Sequence, residues 1–311
     1  MEKVASAVSA KVGRGSAGAQ YAERSVLGAL AYADLFDYPL TLAEIARYQI
    51  DTRLSPEDIA SCLNDSKRLA HAIARSGDGF YALAGREIVF ATRRGRAAAS
   101  ARIWARAGTY TWLLARFPFV RMIAVTGALA VNNIADKPDI DLLVITAPGR
   151  VWITRRLIVA VVRLARVLND DLCPNYIVSE DRLRLDQRDL FTAHELAQMV
   201  PHYGFAVYER MLTENDWASE YLPAAFQEPR HTQREARRTW IRRGLEWLLA
   251  LRVFDRWERW EMRRLQRKLR PKYGDSAEVI CSPDQCKGHT GLHRHWITTR
   301  YEQRLHELNL V

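Results

Sequence analysis

Apolar residues keep helical spacing at Val26, Leu27, Leu30, Ala31 and Leu35, and the pattern halts at Asp37-Tyr38-Pro39. Thr41 with Glu44 three residues on is a capping box, which predicts a short helix over Leu42–Tyr48. Ser55-Pro56-Glu57-Asp58 predicts a third helix, Pro56–Lys67, with Pro at the first helical position and acids in the first turn. Two extended pieces follow, Gly79–Ala82 and Ile88–Thr92, with Ala84-Gly85-Arg86-Glu87 as a hairpin turn between them. Ser100–Phe117 predicts a connecting helix. The pattern then changes to alternating strand and helix: strand Arg121–Thr126, the nearly continuous apolar strand Ile140–Thr146, amphipathic helix Arg150–Val167 and strand Cys173–Ser179. From Asp189 onward the chain reads as mostly helical, with a capped helix Asp189–Gln198, a long one over Thr232–Leu269 and a last one over Trp296–Leu308.

These elements predict an α+β, multidomain protein. Residues 1–22, rich in Ala, Ser and Gly, are expected to be a disordered tail. Residues 23–99, three short helices and a hairpin, have the elements of a winged helix. In DNA-binding modules of that kind the third helix enters the major groove. Here that helix carries Glu57, Asp58 and Asp65, and only the corner at Arg93, Arg94 and Arg96 is basic, which weighs against DNA and toward protein contacts or packing on a neighbour. Residues 100–225 are expected to form a central α/β core with a small mixed sheet. Residues 226–311 are expected to be a basic helical C-terminal region.

Composition narrows the function classes. The 311 residues include 46 Lys and Arg against 36 Asp and Glu, a net charge of +10, and nearly all of the surplus lies between Glu228 and Lys272. A polyanionic partner or substrate fits that balance. No apolar run reaches the ~20 residues of a membrane span, no secretory h-region opens the sequence, and four cysteines do not make a disulfide framework. A cytoplasmic protein is the expectation.

The informative stretch runs from Val125 to Ile145. A strand delivers the chain to Gly127-Ala128, a small-residue turn follows, and a second strand opens with Asp139-Ile140-Asp141. Carboxylates at i and i+2 of a strand share a face, so both can reach one cation. Hard oxygen ligands suit Mg²⁺ together with substrate phosphates, and the turn's backbone N–H groups suit a phosphate. Charge at the mouth of a buried apolar strand is costly unless it is paired or metal-bound.

In that order and spacing, Phe117 to Ile177 resembles the nucleotidyltransferase fold of the DNA polymerase β superfamily, whose signature is Gly-Ser, a spacer and Asp-x-Asp opening a strand. The resemblance implies Asp139 and Asp141 as metal ligands, with Gly127, Ala128, Asn132 and Asn133 toward the nucleotide. It implies Mg²⁺ (or Mn²⁺)-dependent transfer of a nucleoside monophosphate from an NTP to a hydroxyl or phosphate acceptor on RNA, protein or a small molecule. Two positions depart from the signature. Ala128 stands where the family has Ser, and Asn175 where it would carry a third carboxylate on a neighbouring strand. Asp170/Asp171 or His194-Glu195 are the substitutes in the sequence, and Asn175 and Glu195 are taken as supporting residues. The departures leave a second reading open: a catalytically degenerate regulator that senses nucleotide or binds DNA.

Two further segments carry chemistry-bearing residues. Cys281, Cys286 and His289, with His293 and His295 beyond, form a loose zinc-ligand pattern, whose alternative is that the histidines merely open the last helix. Trp240, Trp247, Trp257 and Trp260 are interleaved with arginines, a composition that suits single-stranded nucleic acid or an anionic membrane. The competing expectation places Ile241, Leu245, Leu248, Leu251 and Leu265 in the core, with the arginines as a solvated face.

Overall fold

The computed structural model describes residues 16–135, 139–227, 240–251, 253–273, 279–288 and 293–310. In chain order the elements are α1 (Ser16–Asp34), β1 (Leu40–Thr41), α2 (Leu42–Tyr48), α3 (Pro56–Asp65), α4 (Lys67–Ala72), β2 (Ile73–Arg75), β3 (Phe80–Leu83) and α5 (Ile88–Leu114). There follow β4 (Val120–Val125), α6 (Gly127–Ala130), β5 (Asp139–Thr146), α7 (Val151–Val167), β6 (Asp171–Ser179), α8 (Leu190–Gln198), β7 (Val200–Tyr203), α9 (Phe205–Glu214) and α10 (Ala218–Tyr221). The chain closes with α11 (Trp240–Leu249), α12 (Val253–Tyr273), β8 (Val279–Cys281), β9 (Gln285–Gly288) and α13 (His293–Glu307). The fold is α+β, with one six-stranded mixed sheet and one three-stranded sheet among the described residues.

Two compact units divide the chain. One holds the residues up to Arg93 with Tyr221–Ala225 and Ile297 onward; the other holds Arg94–Glu220 with Phe226–Trp296. The segment 226–311 therefore does not stand apart as a third region. Its first part belongs with the large sheet, and its last helix is tied to the first unit by the Arg304–Asp34 ion pair at 2.8 Å.

In the first unit the capping box forms as the sequence predicts. Thr41 Oγ1 accepts from the Glu44 N–H, and the Glu44 carboxylate accepts from the Thr41 N–H. Thr41→Ala is expected to cost about 1 kcal/mol of this unit's stability, read by chemical denaturation, with Thr41→Ser near neutral. Val26, Leu27, Leu30, Ile45, Ile59, Leu63 and Leu69 form the buried interior.

Several boundaries differ from the sequence reading. Helix α1 begins at Ser16, inside the expected tail, and the residues before it lie outside the described ones. The helix expected over Pro56–Lys67 ends at Asp65, because the Ser66 side chain caps a new helix by accepting from the Leu69 N–H. Ile88–Thr92 is not a strand. It opens α5, where the Ala-rich run that follows favours helix and Val89 and Phe90 pack on Ala82. Strand β3 instead pairs with β2 on one side and β1 on the other, both antiparallel.

The second unit is built on the sheet order β7-β4-β5-β6-β9-β8. Strand β5 lies between antiparallel β4 and parallel β6, and its Leu142, Val144 and Ile145 are fully buried. The part from Asp189 onward, expected to be mostly helical, also supplies β7, which pairs with β4, and the β8–β9 hairpin, which pairs with β6. The long helix expected over Thr232–Leu269 is two helices, α11 and α12, and its residues before Trp240 lie outside the described ones. Leu265 packs on the core as expected, whereas Ile241, Leu245, Leu248 and Leu251 are exposed.

Arg242 explains that inversion. It is buried and donates to the Ala115 carbonyl (3.0 Å), the Tyr203 hydroxyl (3.0 Å) and the Val120 carbonyl, and pairs with Glu246 at 3.1 Å. Glu246 in turn accepts from the Phe119 N–H (2.8 Å) and from Arg121 (2.9 Å). Burial alone pushes the Glu246 carboxyl up, but Arg121, the Phe119 N–H and Arg242 together hold it below its ordinary value.

Candidate functional site

Strand β4 ends at Val125, and Gly127 turns the chain with φ +64° into the single turn of α6. The chain crosses close to β5 there: the Thr126 N–H donates to the Asp141 carbonyl at 3.0 Å. A Cβ on Gly127 would lie 2.4 Å from Asp141 Oδ2. Only glycine combines that φ with that approach, so the small-residue turn and the second aspartate are one construction. Gly127→Ala is expected to destabilise by about 1–3 kcal/mol and to displace the Asp141 carboxylate; a melting temperature equal to wild type would contradict the close approach.

Asp139 and Asp141 occupy the first and third positions of β5, both half-buried on the same face, as the i, i+2 spacing predicts. The parallel register sets Asp139 opposite Asp171 and Asp141 opposite Cys173. Beyond that point β6 carries a residue more than β5 before the pairing resumes at Leu143 and Tyr176. Pro174, which has no N–H to give to a ladder, lies within this bulge. The irregularity aims Asn175 at the site, where its Nδ2 donates to Asp141 Oδ1 at 2.8 Å and its Oδ1 accepts from the Cys173 thiol at 3.6 Å.

The electrostatics follow from that crowding. Burial pushes the Asp141 carboxyl up to about 8, and the carboxylates of Asp139, Glu195 and Asp171 push in the same direction. Burial and the same aspartates raise the Cys173 thiol to about 12. Glu195, on α8, is itself raised by burial, and Lys287 of β9 opposes that rise. Lys287 stands over the Tyr176 ring at 5.9 Å and donates to Gln187. Asp139, Glu195 and the exposed Asp171 thus act on the Asp141 carboxyl at the mouth of β5, and Lys287 is a cation that acts on Glu195.

The remaining candidates make the following contacts. The Asn132 side-chain oxygen accepts from Trp104 at 2.6 Å and that of Asn133 from Arg96 at 3.2 Å, so both amides hold the turn against α5. Ala128 lies in α6, where the Asn133 N–H donates to its carbonyl. Asp170 is taken by Arg106 and Tyr110 at 2.6 and 2.7 Å, which leaves Asp171 as the member of that pair beside the site. His194 is buried with Nδ1 on the Leu190 carbonyl, and burial lowers its pKa to about 4. Lys287 had no signal in the sequence, because only the pairing of β9 with β6 brings it in.

Cys281 and Cys286 are directly opposed across the β8–β9 hairpin, and His289 lies outside the described residues. Among the described residues no group of three His, Cys, Asp or Glu side chains is placed to hold a metal ion. No described helix is long and apolar enough to cross a membrane. Comparison of the chain with protein-family models, with curated proteins and with solved structures gives no match in any of the three.

Proposed function

We propose that the second unit is a nucleotidyltransferase-type core that binds a nucleoside triphosphate with a divalent cation and transfers the nucleoside monophosphate to a hydroxyl or phosphate acceptor. One observation carries this reading. Asp139 and Asp141 share a face at the mouth of a buried strand, against the positive-φ turn at Gly127, where burial, with neighbouring carboxylates acting in the same direction, raises Asp141 to about 8. Such a cluster is unfavourable as it stands and is relieved by a cation. The donors are of the kind that suits Mg²⁺ or Mn²⁺: hard carboxylate oxygens on one face, to which phosphate oxygens and water would add to complete the shell. Bound there, the ion would neutralise charge developing on the transferring phosphorus centre.

The chain's own residues have separable tasks. Asp139 and Asp141 hold the cation. Asn175 fixes the Asp141 carboxylate by its 2.8 Å hydrogen bond, a positioning role in place of a third carboxylate. The turn from Gly127 to Ala130 offers backbone N–H groups beside Asp141, toward a triphosphate. Glu195, raised by burial, is the carboxylate proposed to accept a proton.

The test is transfer of α-labelled ATP, GTP, CTP and UTP, with Mg²⁺ or Mn²⁺, into a lysate fractionated into protein, RNA and small molecules. Label entering one fraction with wild type and lost in Asp139→Asn supports the reading. Label that persists in the variant overturns the assignment of Asp139.

A second reading is favoured by one specific contact. Asn175 presents an N–H to Asp141, whereas a catalytic third carboxylate would present an oxygen to the metal. A core that binds nucleotide without turnover, coupled to a winged helix made of α1–α4 and β1–β3, would act as a regulator. That version is expected to bind duplex DNA with a steep salt dependence. Binding of nucleotide with no labelled product, plus a DNA shift at low salt, would favour it over the enzyme.

A further inference from the structure

Helix α11 is amphipathic the wrong way round for a helix of a water-facing surface. Its polar residues Arg242 and Glu246 point inward, where they satisfy the Ala115 and Val120 carbonyls and the Phe119 N–H. Its apolar residues point out: Trp240 is 81% exposed, Trp247 74%, and Ile241, Leu245 and Leu248 are exposed beside them. Leu251 and Val253 continue the same exposed apolar surface. Isolated exposed apolar residues are ordinary, but seven of them within Trp240–Val253 mark a surface that meets something apolar.

The next helix supplies the chemistry of the partner. In α12 Glu258 and Glu261 are buried, Glu258 accepting from the Trp152 and Ile153 N–H groups and Glu261 pairing with Arg264. With those two acids turned in and Asp255 paired to Arg150, the outer face is cationic. Arg256, Arg259, Arg263 and Arg267 line an open groove with Gln266 and the exposed Trp260. Eleven residues separate the first arginine from the last, a stripe roughly 16 Å long. Both helices rest on one cluster, Phe119, Ala147 and Ile153, through Leu249, Phe254 and Trp257, so their outer faces both point away from it.

We infer that the outer surface of α11 and α12 is a docking surface for an anionic lipid bilayer. The aliphatic side chains of α11 need a hydrocarbon phase, which nucleic acid does not offer. The tryptophans suit the headgroup boundary, and the arginine stripe matches lipid phosphates and carboxylates. At ten residues α11 is too short to span, and it lies in the plane of the interface with its apolar face down.

The experiment is co-sedimentation of the full chain with vesicles of phosphatidylcholine and phosphatidylserine, against phosphatidylcholine alone, with tryptophan emission followed in parallel. Wild type is expected to sediment with the anionic vesicles, with a blue shift, and to weaken as salt rises. Arg259→Gln/Arg263→Gln should lower the partition coefficient roughly fivefold per side chain, about 25-fold for the pair. Trp247→Ser/Leu248→Ser should abolish the blue shift while leaving the melting temperature unchanged, since neither residue touches the inward network. Binding that is absent, or unaltered in both variants, overturns the inference. So does a dimer that ignores vesicles and dissolves in Trp247→Ser/Leu248→Ser, which makes the occupant a second copy of the chain. Retention of labelled single-stranded oligonucleotide without any vesicle binding likewise overturns it.

Discussion

Asp141→Asn is expected to yield a protein that is more stable than wild type without metal and that no longer gains stability from Mg²⁺. The Asp141 carboxyl is raised from an ordinary 3.8 to about 8 by burial and by the Asp139, Glu195 and Asp171 carboxylates. Between pH ~4 and ~8 the unfolded chain has released this proton while the folded protein keeps it. Stability is therefore lost as pH rises through that window and is unaffected below it. At neutral pH the cost is on the order of 2–4 kcal/mol, which asparagine avoids while still accepting the Asn175 hydrogen bond through its own oxygen. The melting-temperature difference between variant and wild type should thus be small near pH 4, grow to several degrees near pH 8, and shrink again when Mg²⁺ is added to wild type. A difference that stays constant across pH would show that the carboxylate cluster is not what strains the site. Transfer activity, if measured in the same protein, should be lost, because a neutral amide replaces one of two anionic ligands.

The second large effect is expected at Arg242. Replacement by Met keeps much of the volume but strands the Ala115 and Val120 carbonyls and removes one partner of Glu246. Breaking one side of such a buried charged network costs about 3–5 kcal/mol, measured by urea unfolding of the full chain. Glu246→Gln should cost less, because Arg121 and the Phe119 N–H remain hydrogen-bonded to the side-chain oxygen. The double variant should show strong non-additivity. A cost below about 1 kcal/mol for Arg242→Met would mean that α11 is not locked to the sheet through this residue.

Local chemistry was legible in the sequence. The Thr41 capping box, the strand β5 and the pairing of Asp139 with Asp141 on one face depend on residues a few positions apart, and all three are found as read. What depends on distant partners was not. Ile88–Thr92 reads as a strand in the sequence, but the alanines after it and the packing of Val89 and Phe90 on Ala82 make it helix. β7 and the β8–β9 hairpin are short, and only pairing with β4 and β6 makes them strands. The choice between Asp170 and Asp171 is made by the register of β6 on β5 and by Arg106 and Tyr110, neither visible in the sequence. Periodicity placed the α11 leucines in the core because it reports that a helix has two faces, not which one turns inward. There the buried Arg242, with the half-buried Glu246, decides.

The most direct test of the central claim is binding of a nucleoside triphosphate by equilibrium dialysis, with and without Mg²⁺, to wild type and to Asp139→Asn/Asp141→Asn. The carboxylate pair at the mouth of β5 predicts binding that requires the cation in wild type and disappears in the double variant, with both proteins folded by circular dichroism. Nucleotide binding that ignores Mg²⁺, or that survives loss of both aspartates, would contradict it.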